Sequence, residues 1–197
     1  MSKRTTLPRN PRDFYETHDP KAVTPIAPLW HLNGTRYIEP FCGSGELIAN
    51  IGAQCDALCI YASDIQPLPK VKGVPNTLTF NKQKFDEVYW PDFCDNANIT
   101  HFISNPPWLN DKASDYQLLR IINKLAEVRP TWLLLNGNFA FNKRSSNAMA
   151  ICTDIITVGR LKWIKGSQFS ATEDSAWFLF DTKTATGLGP ILHPRTR

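Results

Sequence analysis

Between Thr35 and Asp181 short apolar runs alternate with stripes of helical period, and this alternation constrains the fold more than any other feature. The strand candidates are Thr35–Pro40, Leu58–Asp64, Ile99–Ser104, Trp132–Asn136, Arg160–Ile164 and Ala176–Asp181. Helical patterns run over Lys21–Leu32, Glu46–Gln54, Asp115–Val128 and Ser145–Asp154. Pro25 and Pro28 break the first of these. In the third, Asp115 caps a run whose Leu118, Leu119, Ile122 and Leu125 share a stripe, and Pro130 follows its end. Strands separated by helices predict an α/β fold, a mostly parallel sheet with helices on both faces. The last two strands differ: Lys165 to Ser175 is polar and carries no helical pattern. A long hairpin there makes one strand near the C-terminus antiparallel.

A chain of 197 residues suffices for one buried core. Residues 1–13 and 184–197 read as flexible tails around a single domain, 14–183. No window reaches the eighteen or so apolar residues of a membrane helix, and no apolar stretch backs the basic N-terminus as a signal would require. The five cysteines lack a metal-ligand spacing, since Cys55 and Cys59 have no partner pair or nearby His. Buried thiols in a reducing, cytoplasmic compartment are the expectation, with no metal. Net charge is +4, a mild bias carried largely by the tails. Within the domain Lys143-Arg144 and Arg160, Lys162, Lys165 are the basic clusters.

Three strand ends look chemical, and in open parallel sheets ligands bind beyond the carboxyl ends of the strands. The first reads Glu39-Pro40-Phe41-Cys42-Gly43-Ser44-Gly45-Glu46. Gly43 and Gly45 give a turn whose bare backbone a ligand can approach. A phosphate cradle is not expected: the third Gly position of that motif is Ile48, no Lys-Ser/Thr pair follows, and the Glu39 carboxylate repels anions. A cationic or zwitterionic ligand suits it better. At the second end Asp64 stands about twenty residues on, where an acid accepts hydrogen bonds from ribose hydroxyls; capping a turn before Pro67 is the plainer alternative. A further acid, Asp92 beside Phe93, could hold the amino group and one face of an adenine, or simply be a loop Asp beside a core ring.

The third end is Asn105-Pro106-Pro107-Trp108. Two prolines cannot continue a sheet, because neither donates a backbone hydrogen bond. They do hold a backbone still. An exocyclic amine on an aromatic ring is a poor nucleophile, since its lone pair is delocalised. Two fixed acceptors, the Asn105 side-chain oxygen and the Pro106 carbonyl, would draw its hydrogens and free that pair. Trp108 would stack on the flat ring.

These residues resemble the S-adenosylmethionine-dependent methyltransferases of the N6-adenine type, whose hallmark is Asn/Asp/Ser-Pro-Pro-aromatic, and the compact bacterial and phage DNA enzymes in particular. The resemblance covers residues from about 12 to 182. It implies a Rossmann-like methyltransferase fold with a seven-stranded sheet and S-adenosylmethionine as cofactor. Phe14, Tyr15 and Thr17 would flank the methionine end of that cofactor. Glu39, Phe41, Gly43 and Gly45 would form its turn, Asp64 with Ile65 its ribose site, and Asp92-Phe93 its adenine contact. Asn105 to Trp108 would be catalytic. The family's separate target-recognition domain has no counterpart here, which implies low specificity, a very short site, or a partner protein or second copy that guides the enzyme. The N-terminal stretch Phe14-Tyr15-Glu16-Thr17 also lacks the Pro that often follows that Thr.

A duplex adenine must be flipped out of its stack. Lys143 and Arg144, beyond the strand Trp132–Asn136, and Lys165 and Ser167, in the hairpin loop, are the candidate nucleic-acid contacts. Asn136 and Asn138 lie on the same rim. DNA in a bacterial or phage-infected cell is the expected substrate. The alternatives are an RNA base amine or a protein glutamine, and a catalytically silent module that binds cofactor or a partner.

Overall fold

The computed structural model describes residues 16–32, 34–107 and 112–194. Its strands are β1 (Arg36–Glu39), β2 (Leu58–Asp64), β3 (Phe80–Lys82), β4 (His101–Ser104), β5 (Thr131–Asn136), β6 (Cys152–Gly159), β7 (Ser175–Phe180) and β8 (Ile191–His193). The helices are α1 (Ala27–Leu32), α2 (Glu46–Gln54), α3 (Trp90–Asn96), α4 (Lys112–Ala126) and α5 (Ser146–Ala150). One sheet runs in the order β3-β2-β1-β4-β5-β7-β6-β8. Only β7 is antiparallel to its neighbours, β5 and β6. The expected α/β architecture with one reversed strand is therefore what forms, with eight strands where seven were expected.

The register explains why the chemistry gathers at one edge. Tyr37 pairs with His101 and Ile38 with Phe102, so β1 and β4 end together. Glu39 pairs with Ala62, so β2 runs on past β1 to Asp64. Alternation splits the core in two. Tyr37, Ile103, Trp132 and Trp177 pack on the α1 and α2 side; Ile38, Phe102 and Trp90 pack with α3 and α4 on the other.

The first side is closed by residues from both ends of the chain. Trp177 packs edge-on against Trp30, with ring centroids 5.2 Å apart, and donates its indole N–H to the Ala22 carbonyl at 2.7 Å. Asp19 caps the turn at Lys21 and accepts the Lys162 N–H at 3.0 Å. Among the described residues the cysteines are unpaired thiols, four of them buried. Burial pushes the Cys94 thiol up to about 11 and Cys152 to about 12, which keeps both protonated and inert.

Several boundaries differ from the sequence expectation, each for a local reason. The stretch read as a helix over Ser145–Asp154 stops at Ala150, because the β-branched run from Ile151 to Val158 is the strand β6. Arg160–Ile164, read as a strand, is loop; its Leu161 and Trp163 anchor that loop to the core and so imitate strand alternation. Asp115 falls inside α4, which begins at Lys112. The segment read as a flexible tail contains β8, parallel to β6, with Asp154 opposite Ile191. Three residues between Pro190 and Pro194, two of them exposed, show no alternation to read. Residues β3 and α3 were likewise not anticipated.

Replacing Trp177 by Phe keeps a ring in the core but strands the Ala22 carbonyl. The variant is expected to lose about 1–3 kcal/mol of unfolding free energy. Chemical denaturation should show a lower midpoint at unchanged slope.

Candidate active site

Strand β1 delivers Glu39 into the sheet interior and then turns at Gly43-Ser44-Gly45 into α2. Both glycines have positive φ, +50° and +84°, and Gly45 stands at the N-cap of α2. A Cβ on Gly45 would lie 2.6 Å from the Phe80 ring and 2.8 Å from Val74, so this turn tolerates no side chain. Every N–H of the turn is already taken. Gly43 donates to Asp64 Oδ2 at 3.0 Å, Ser44 to Glu16 Oε1 at 3.0 Å, and Gly45 to the Cys42 carbonyl at 2.7 Å. Two of those acceptors are carboxylates. A phosphate approaching these three N–H groups would meet carboxylates rather than open donors.

Glu39 is buried at 2% exposure, and its Oε2 has no hydrogen-bond partner among the described residues. Burial, with the nearby charge of Asp64, holds its carboxyl well above the usual range. A buried acid of this kind is relieved by a cation. Asp64 is fixed by two backbone donors, Gly43 and Gln66, which leaves the outer lone pairs of its carboxylate for hydroxyl donors. Thr17, Ser44 and Ser104 also carry buried hydroxyls without a partner among the described residues. Orphaned acceptors and hydroxyls around a bulk-free turn suit a ligand with a cationic group and a diol.

Strand β4 runs parallel to β1 and ends at Ser104, so Asn105-Pro106-Pro107 leaves the sheet at the same edge as the β1 turn. Asn105 is half-buried, Pro106 buried and Pro107 exposed. At the opposite end of β4, burial lowers His101 to about 4, leaving it neutral at ordinary pH and away from this edge.

The remaining candidates sort as follows. Phe14, Tyr15 and Trp108 lie outside the described residues. Thr17 is buried beneath the turn, its carbonyl accepting Asn50 Nδ2 at 2.7 Å. Phe41 stacks on Phe85 at 5.5 Å, and Ile65 is 60% exposed directly after Asp64. Asp92 and Phe93 lie in α3 rather than in a loop, with the Phe93 ring against Tyr61 at 4.7 Å. The chain beside Asp64 is instead the end of β3, where Gln83 donates its N–H to the Asp64 carbonyl at 2.8 Å and accepts the Tyr61 hydroxyl at 2.7 Å. Strand β3 is too short to announce itself, so Gln83 was missed. Glu16 was missed because only its neighbours matched a pattern.

Lys143 and Arg144 are exposed in a 3-10 turn capped by Asn142. Lys165 reaches Glu46 at the start of α2, 3.0 Å away, and Ser167 folds its loop by bonding both the N–H and the carbonyl of Phe169. All four lie beyond the carboxyl ends of the strands.

No protein-family model matches the chain, and no curated protein does. Solved structures do. A candidate class I S-adenosylmethionine-dependent methyltransferase from Listeria monocytogenes aligns with a TM-score of 0.59 at 10% identity, over 93% of this chain and 67% of that one. A candidate RNA methyltransferase from Pyrococcus horikoshii aligns at 0.55 and 13% identity, over 81% and 83%. The methyltransferase subunit of a type I restriction-modification system from Streptococcus thermophilus aligns at 0.50 and 14% identity, over 88% of this chain and 44% of that one. This chain thus spans less than half the length of the restriction-modification subunit. At these identities the likeness concerns the fold, and the fold is the Rossmann-like one of methyltransferases.

The raised carboxyl of Glu39 has a signed consequence. The unfolded chain gives up this proton at lower pH than the folded one, so the residue lowers stability progressively as pH rises above the ordinary carboxyl range. Glu39→Gln is therefore expected to melt above the parent near about pH 8, with the gap closing toward about pH 4. Thermal unfolding across that range measures it; a gap that does not vary with pH would contradict a protonated Glu39.

Proposed function

We propose that this chain transfers a methyl group from S-adenosylmethionine to the N6 amine of adenine in DNA. The observation that carries the reading is that β4, which runs into Asn105-Pro106-Pro107, pairs in parallel with β1, which carries Glu39 and runs into the turn whose Gly43 N–H is bound by Asp64. The residues assigned here to the cofactor and those assigned to the amine then follow neighbouring parallel strands, which supports the reading.

The cofactor supplies, when bound, a methyl group made electrophilic by a sulfonium. The chain does the rest. Glu39 offers a buried carboxyl to the amino group of the methionine moiety, and Thr17 adds a hydroxyl nearby. Asp64, held by the Gly43 and Gln66 N–H groups, accepts from the ribose hydroxyls. Ile65 gives an apolar surface beside them, and the bare Gly43–Gly45 backbone leaves room for the chain between.

On the substrate side Asn105 and the Pro106 carbonyl accept the two amine hydrogens, localising the nitrogen lone pair toward the incoming carbon. As the nitrogen attacked the methyl carbon, the carbon–sulfur bond would break and the neutral thioether S-adenosylhomocysteine would leave with that electron pair. The now acidic N–H proton would pass to water, so no strong base is required. Because the prolines fix these acceptors in advance, no reorganisation opposes the step. Trp108, next in the chain, is the candidate for stacking on the flipped base.

Tritiated methyl donor incubated with DNA, RNA and protein separates the acceptors. Label should enter DNA as N6-methyladenine, and Asn105→Ala should lower the rate about a hundredfold or more while donor affinity holds. Incorporation only into RNA or protein would end the DNA reading. Donor binding with no transfer to any of the three would leave a binding module.

A further inference from the structure

Among the described residues three large aromatics are well exposed, Tyr89 at 70%, Phe141 at 87% and Phe169 at 84%, and all three lie in connections beyond the carboxyl ends of the strands. An aromatic ring at such a place offers a flat face on which a planar partner can stack. Two of the rings belong to loops that are tied together. Phe141 ends the 3-10 turn that follows β5, and Phe169 sits in the long loop from β6 to β7. Where these loops start and finish, Gly137 donates to the Asp174 carbonyl at 2.8 Å, and the Asn136 amide meets Glu173.

Neither ring is exposed by accident of a floppy segment. Ser167 closes a tight turn onto both backbone groups of Phe169. The same loop is pinned at Leu161, which is buried and whose carbonyl accepts the Ala171 N–H at 2.7 Å. On the other side, Ser145 bonds the Phe139 carbonyl at 2.5 Å and the Asn142 carbonyl at 2.7 Å, holding the turn that carries Phe141.

The charge around them has one dominant sign. Lys143, Arg144, Arg160, Lys162 and Lys165 lie in these two loops against only Glu173 and Asp174. Asp174 is 3.9 Å from Arg160, and Glu173 is held by Asn136. Lys165 contacts the largely buried Glu46 carboxylate, but its own side chain is well exposed and keeps its cation at the surface. Cations that track a backbone and rings that take bases are the two components of a surface for a nucleic-acid strand.

We infer that the β5 loop and the β6–β7 loop together form the DNA-holding surface of this protein, with Phe141 and Phe169 stacking on bases beside the target adenine. The inference rests on the proposed adenine methylation for its choice of DNA. It also supplies contacts that would offset the unstacking of the target base. Stacking on a ring is tolerant of sequence, so the surface favours holding over reading.

The test uses the full chain, saturated with S-adenosylmethionine, and a fluorescent DNA duplex containing one mismatched adenine. Phe141→Ala and Phe169→Ala should each weaken binding about tenfold. Phe→Tyr at either position should restore it, whereas Phe→Leu, equally apolar but unable to stack, should not. Lys143→Gln should reduce the salt dependence of binding by about one charge. Donor affinity, measured by calorimetry, should be the same in all variants. Binding within twofold of the parent for both alanine variants would overturn the inference. So would rescue by Leu, which would show that apolar area and not ring stacking holds the DNA, or tighter ring-dependent binding of the matching RNA. Ring-dependent DNA binding without methyl transfer would instead remove the proposed activity and keep the surface.

Discussion

The carboxylate of Asp64, receiving the Gly43 N–H at 3.0 Å, fastens the first turn of the fold to the end of its second strand. The whole working edge is organised around that link. Parallel pairing alone aligns β1 with β2, but pairing stops at the strand ends, and the turn beyond would be free to choose its path. A buried acid accepting two backbone donors removes the choice. The bulk-free Gly45 then lets Phe80 of β3 and Val74 close against the turn from outside. Sheet, turn and helix are thereby set relative to one another before any ligand arrives.

The same geometry separates this site from the phosphate-binding versions of related architectures. In those, backbone N–H groups at a Gly-rich turn point into open space and await an anion. Here Glu16 and Asp64 already occupy them. With Glu39 buried alongside and raised in pKa, the edge is a place where acids are crowded and positive charge is welcome. Glu39 is thus a stability defect that a suitable ligand would relieve, a common relation between function and folding.

Much of this could be read from residues alone. Strand β2 and helix α2 match the text to the residue, because each is bounded by unambiguous signals: Asp56-Ala57 and Asp64 for one, Gly45 and Cys55 for the other. The reversed strand was legible from a polar connection with no helical period. What escaped were elements whose stabilising contacts are tertiary. Strands β3 and β8 have three residues each and form by joining edges already present. Helix α3 begins at Trp90-Pro91, a pair that reads as loop until the burial of Trp90 and Cys94 is known. Glu16 and Gln83 were invisible as site residues for a related cause: each earns its place from a backbone partner distant in sequence. Exposure is equally hidden from a string of letters, and nothing in the sequence sets Phe141 and Phe169 apart from the buried aromatics.

Strand β7 lies between β5 and β6, although it is made after both. During synthesis, β5 therefore waits with an open hydrogen-bonding edge until residues 175–180 leave the ribosome. Strand β6 cannot fill the gap, since it pairs with β7 and not with β5. The Asp19–Lys162 and Ala22–Trp177 contacts are late for the same reason, because each joins the first residues of the core to nearly the last. Such long-range closure slows folding and prolongs the time an unpaired edge is open to other chains. Premature termination anywhere before Phe180 would leave that edge permanently uncovered, so truncated products should aggregate, and their removal falls to the cell's proteases.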